Sequence, residues 1–147
     1  MAVILVVILV VASLGFLALT VGNFSRIATV RPSPRLITVR TATQQEVREI
    51  LSEDGLVAAV KRIRAQSGIS LLEAKVVSDG ILSGSDVPAT AVEAVDWLAL
   101  HHEEAYRKMQ EIIDKDFFDA VRSLQKEMGL GQVSAVRIVD EIIRRCR

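Results

Sequence analysis

The sequence predicts an all-α protein, and three observations carry that expectation. The segment LVAAVKRIRAQSGISLLEAKVVSDGI, Leu56 to Ile81, recurs in looser form 61 residues later as FFDAVRSLQKEMGLGQVSAVRIVDEI, Phe117 to Ile142, so a helix-turn-helix unit is duplicated. Apolar residues across most of the chain after Thr41 follow spacings of three and four, the signature of amphipathic helices. Only Leu36 to Val39 suggests a strand, and one short strand cannot make a stable sheet. The expected architecture is an N-terminal transmembrane helix plus a cytoplasmic helical domain, built from two related helix-turn-helix units joined by a longer helix. Its expected divisions are an anchor over 1–24, a basic tether over 25–42, the first hairpin within 43–88, and the long helix with the second hairpin over 89–147.

Met1 to Ser25 contains no charged side chain. As a helix of about 1.5 Å per residue, the apolar run through Phe24 outreaches a hydrocarbon core of roughly 30 Å, which calls for some tilt. A cleaved signal peptide would carry Lys or Arg before a shorter apolar run and small residues after it. Here the run starts at once and is long, so an uncleaved anchor is expected. Arg26, Arg31, Arg35 and Arg40 follow before any acid. By the positive-inside rule they stay in the cytoplasm near lipid headgroups, with the amino terminus outside. This is the pattern of a single-pass bacterial inner-membrane protein. From Asn23 to Thr41, two of the three prolines and the lack of helical periodicity read as an extended tether.

Thr43 and Glu46 have capping-box spacing and predict a helix from about Gln44 carrying Val47, Ile50 and Leu51 on one side. Gly55 interrupts it. The next helix, Leu56 to Gln66, has a narrow apolar stripe of Val57, Val60 and Ile63, with Ala59, and a basic face of Lys61, Arg62 and Arg64. Gly68 ends it, Ser70 and Glu73 form a second capping box, and the return helix follows. Gly80, Gly84 and Pro88 break the chain; Thr90 and Glu93 then cap a longer helix running from Ala91 through Ile113. Gly129 and Gly131 separate the last two helices, the closing one running from Gln132 to about Arg145.

The two hairpins share Ala59/Ala120, Val60/Val121, Gly68/Gly129, Ala74/Ala135, Asp79/Asp140 and Ile81/Ile142. Ile63/Leu124, Ile69/Leu130, Leu72/Val133 and Val77/Ile138 keep apolar bulk. The recurring positions are packing positions.

No enzyme is expected. The chain contains no phosphate loop, nucleophile elbow, paired-cysteine site or dinucleotide fingerprint, and no cofactor or metal is implied. His101 and His102 are adjacent, so on a helix they point about 100° apart and do not readily share one ion. Asp114, Asp116 and Asp119 read as acids favouring the dipole of the helix that follows. Trp97, Phe117 and Phe118 sit in step with core residues and are expected to be buried. Residues 41–147 hold 14 basic and 18 acidic side chains, a balance of −4, which disfavours a general nucleic-acid binder. The first hairpin resembles DNA-binding units in outline, but those place a small residue four before the turn glycine, and here that residue is Arg64. The lone Cys146 makes no intrachain disulfide, which suits a reducing cytoplasm.

One string in the first hairpin is more specific than amphipathicity requires. Val57-Ala58, Lys61, Arg64, the Ser67-Gly68 turn with Ile69, and Leu71 followed by Glu73-Ala74-Lys75 resemble the two-helix unit in the C-terminal domain of the bacterial ribosomal stalk protein, the large-subunit protein seven/twelve. The resemblance covers 20 to 26 residues. In that family the hairpin recruits translational GTPases, and by position it implies Val57, Val60, Lys61, Arg64 and Lys75 as partner-binding residues. Leu56 stands where the family is often basic, and the family's flanking strands are not evident. The second copy has Arg122, Gln125 and Val136 at the positions of Lys61, Arg64 and Lys75, so it reads as a packing partner. The first hairpin is expected to bury its inner faces against the second hairpin and the long helix.

The function expected is thus a non-catalytic, membrane-tethered interaction or scaffold module with an acidic protein partner. Self-association into a homo-oligomer within the bilayer is an alternative, and membrane-localised nucleic-acid or ribosome contact a second.

Overall fold

The computed structural model describes residues 30–147. Its helices are α1 Thr41–Glu53, α2 Leu56–Ser67, α3 Leu71–Leu82, α4 Ala91–His101, α5 Glu103–Ile113, α6 Phe117–Met128 and α7 Gln132–Cys146, preceded by a 3-10 turn at Pro34–Leu36. Among the described residues there is no strand, so the sheet on which the stalk domain packs its helices has no counterpart here. None of these helices is long and apolar enough to cross a membrane. The anchor expected over 1–24 lies outside the described residues.

The local signals explain most helix ends. Ser70 and Glu73 form the capping box that starts α3, and the Thr90 hydroxyl accepts from the Glu93 N–H at the start of α4. Gly68 and Gly129 end α2 and α6 with φ of 68° and 66°, the left-handed region that glycine enters without a Cβ penalty. Asp116 caps α6, its Oδ1 accepting from the N–H groups of Phe118 and Asp119 at 2.7 and 3.2 Å. The expected Thr43–Glu46 box does not form. Helix α1 starts earlier, at Thr41, without a side-chain cap; Thr43 instead donates to Gln66, and Glu46 pairs with Arg62 at 2.8 Å.

The long helix expected between the hairpins is two helices. His102 leaves helical geometry at φ −137°, ψ 53°, although its N–H still donates to the Leu98 carbonyl and its carbonyl still accepts from Tyr106. The break lets α5 leave the direction of α4 and pack on both α6 and α7, while α4 packs on α7 and the 3-10 turn. Likewise α1 packs on both α2 and α3. Each hairpin therefore belongs to a three-helix unit.

The described part of the segment read as a tether, from residue 30 on, is part of the core. Leu36, Ile37 and Val39 are essentially solvent-free, and the 3-10 turn contacts both α3 and α4. We call residues 30–40 the strap. The buried Gln44 side chain donates to the carbonyls of Val39 and Val87 at 2.6 and 3.0 Å, and the Val39 N–H donates to the Pro88 carbonyl at 2.9 Å. Backbone groups that the lack of a strand would orphan are thereby satisfied. The first hairpin accordingly buries its inner faces against α1 and the strap, in place of the expected second hairpin and long helix.

Two side-chain hydrogen bonds join the copies among the described residues. Glu73 is fully buried; one oxygen completes its own capping box and the other accepts from the Gly131 N–H at 2.9 Å. Arg137 on α7 donates to the Ser67 carbonyl at 2.9 Å. At the opposite end of α7, Arg145 reaches Asp96 of α4 at 2.7 Å, a hydrogen bond that raises the guanidinium pKa above its ordinary value.

Candidate functional site

Helix α2 turns Ala59 and Ile63 into the core with no exposed surface. Val57, expected in the same apolar stripe, lies on the other side at 84% exposure. It is four residues before Lys61 and seven before Arg64, so the three share one outward face. Lys61 and Arg64 are exposed. Val60 lies between the two faces, half-buried against the core. On α3, residues 73, 74, 76, 77, 78, 80 and 81 are buried and Asp79 is half-buried, which leaves Leu71, Leu72, Lys75 and, at the helix end, Leu82 exposed.

Lys61, Arg64 and Lys75 have no carboxylate within ion-pair distance among the described residues, whereas Arg62, turned toward α1, is matched by Glu46. The outward face of the first hairpin is therefore apolar and basic, with uncompensated charge. Sequence reasoning missed Leu71 and Leu72 as exposed, at 60% and 47%. The signal was their spacing of four and three from Lys75.

The second copy presents a different surface. Arg122 is held by Asp119 at 3.0 Å, while Gln125 and Val136 are half-buried. Phe118, expected in the core, is 69% exposed at the position of Val57, and Val133 is 36% exposed at the position of Leu72. Phe117 is the one that packs against the core; the rotation of about 100° per residue at the start of α6 turns Phe118 outward.

The basic residues expected at lipid headgroups divide. Arg26 lies outside the described residues. Arg31 pairs with Asp79 at 3.2 Å and Arg35 with Asp86 at 2.9 Å, which draws both toward the first copy. Arg40 is exposed and borders a cleft beside Arg137. His101 and His102 flank the half-buried Trp97, with ring centroids at 4.7 and 5.2 Å. Among the described residues no three His, Cys, Asp or Glu are grouped to hold a metal ion.

Comparison of the chain with protein-family models, with curated proteins and with solved structures finds no match.

Proposed function

We propose that the chain is a non-catalytic, membrane-tethered interaction module that docks an acidic protein partner on the outward face of its first hairpin, through Val57, Val60, Lys61, Arg64 and Lys75. The observation that carries this reading is the contrast between the copies. Lys61, Arg64 and Lys75 lack acidic partners among the described residues, beside the exposed Val57, Leu71 and Leu72, whereas the second copy has one ion-paired cation and two residues without charge at the matching positions. Unpaired cations on a domain of negative balance steer an acidic partner. Apolar side chains between them supply the area that water leaves on binding.

The anchor expected over 1–24 would keep that partner close to the bilayer. From Phe24 to Val30 the backbone reaches at most about 20 Å at roughly 3.4 Å per residue. Val30 is seated against the α6–α7 turn, where a Cβ on Gly129 would meet its carbonyl oxygen at 1.8 Å.

The test is crosslinking of the full-length chain in native membranes, comparing wild type with Lys61→Glu/Arg64→Glu/Lys75→Glu. These side chains are exposed, so helicity by circular dichroism is expected to be unchanged while the principal crosslinked species is lost. An identical crosslinking pattern from both proteins would sink the proposal.

A further inference from the structure

The strap, the start of α1, the end of α2 and α7 enclose a cleft of about 560 Å³, within the roughly 300–1,000 Å³ range of small-molecule sites. The ionisable residues on its wall are Arg40, Arg137 and Glu46. Glu46 is already matched, its Oε2 lying 2.8 Å from the Arg62 guanidinium. Arg40 and Arg137 are not matched.

Arg137 is the telling residue. Its guanidinium donates to the Ser67 carbonyl at 2.9 Å and to the carbonyl and hydroxyl oxygens of Thr38 at 3.4 and 3.3 Å. All three acceptors are neutral. The other arginines with partly covered side chains, Arg35 and Arg145, each reach an aspartate, at 2.9 and 2.7 Å. Among the described residues, Arg137 alone is half-buried without a carboxylate partner. Carbonyls satisfy its N–H geometry but leave its charge uncompensated where water is partly withdrawn. The unused N–H directions of a guanidinium suit an oxyanion, which accepts two parallel hydrogen bonds. The buried Thr38 adds a hydroxyl to the same wall, which accepts from Arg137 and keeps its own proton to donate, whereas the Thr43 hydroxyl is spent on Gln66. The first turn of α1, which carries no acid, adds a favourable dipole.

We propose that this cleft binds a phosphoryl or equivalent oxyanion, carried on a small molecule or on a lipid headgroup, with Arg137 and Arg40 as its counter-charges. The site shares no residue with the docking face on Val57, Val60, Lys61, Arg64 and Lys75, so either assignment can fail alone.

The test uses the full chain in neutral detergent and follows the phosphorus-31 resonance of inorganic phosphate at constant ionic strength. Saturable broadening is expected, reversed by sulfate and not by chloride. Arg40→Gln decides the proposal, because Arg40 makes no side-chain hydrogen bond or ion pair among the described residues and its loss leaves the fold intact. Arg40→Gln and Arg137→Gln should each weaken phosphate binding at least about tenfold, the scale of one charge-assisted contact. A second arm places the chain in phosphatidylcholine nanodiscs with and without phosphatidic acid. Phosphate binding blocked by phosphatidic acid identifies a headgroup site; equal binding in both discs identifies a soluble ligand. Absence of saturable binding, or undiminished binding to a folded Arg40→Gln chain, overturns the site.

Discussion

Glu73 is where the two copies are joined at the level of single atoms. Its pairing with Ser70 is readable three residues away, since a serine followed by a glutamate at N3 is a local helix-start signal. Its second oxygen accepts from Gly131, 58 residues on, and no local pattern announces that bond. The glycine takes its meaning from the same contact. At φ −71° its backbone suits any residue, yet a Cβ there would lie 2.3 Å from a Glu73 oxygen. Ser70 occupies the equivalent place in the first copy, and Ser134, the equivalent of Glu73, has a buried hydroxyl without a partner. The two caps are thus served by one carboxylate. Gly131→Ala should displace Glu73, break the cross-copy bond and lower stability by about 1–3 kcal/mol, the cost of disturbing a buried charged acceptor. Thermal unfolding of the full chain measures it, and an unshifted midpoint would remove Glu73 from the seam.

The strap shows why elements without a period are hard to read. Leu36 and Ile37 are adjacent and both buried, so the segment has no outward face and neither the helical nor the two-residue alternation appears. Proline and arginine dominate the composition around them, which reads as a linker until α3 and α4 are seen on its two sides. Ile37→Ala should cost about 2–5 kcal/mol, as for other large-to-small core changes, measured by urea unfolding. A free linker would show no loss. The interruption at His102 was hidden for a related reason. It has no glycine or proline, and His102 keeps one helical bond back to Leu98 and one forward from Tyr106, so that only the N–H groups of Glu103, Glu104 and Ala105 lose their helical partners. What breaks the helix is packing: α5 is needed against α6 and α7 as the third helix of the second unit.

At the scale of the molecule, the duplication is larger than the sequence comparison reveals. Helices α2 and α6 match over their whole length at an offset of 61, and α3 and α7 start at that offset. The preceding helices match at 62: Val47, Ile50 and Leu51 of α1 correspond in burial to Met109, Ile112 and Ile113 of α5. One extra residue in the first copy, between Leu51 and Leu56, shifts the register, and that shift hides the third helix from any fixed-offset reading. If the basic stretch orients the chain as expected, with its carboxyl terminus in the cytoplasm, the exposed Cys146 should react with a membrane-impermeant maleimide only after cells are permeabilised. Labelling in intact cells would reverse the topology. The all-helical class, the turns at Gly68 and Gly129, two of the side-chain caps and most of the recurring core positions were legible in the chain, because periodicity and capping act over a few residues; Gly80, read as a breaker, instead lies buried inside α3, and the recurring pair Leu72 and Val133 faces outward. The basic set on the first hairpin was equally legible. Its lack of acidic partners became visible only in three dimensions, as did the outward turn of Val57, the burial of the strap, the seam at Glu73 and the cleft at Arg137. Each of those depends on which distant surface meets which, and contacts across more than about a dozen residues leave no spacing for a sequence to display.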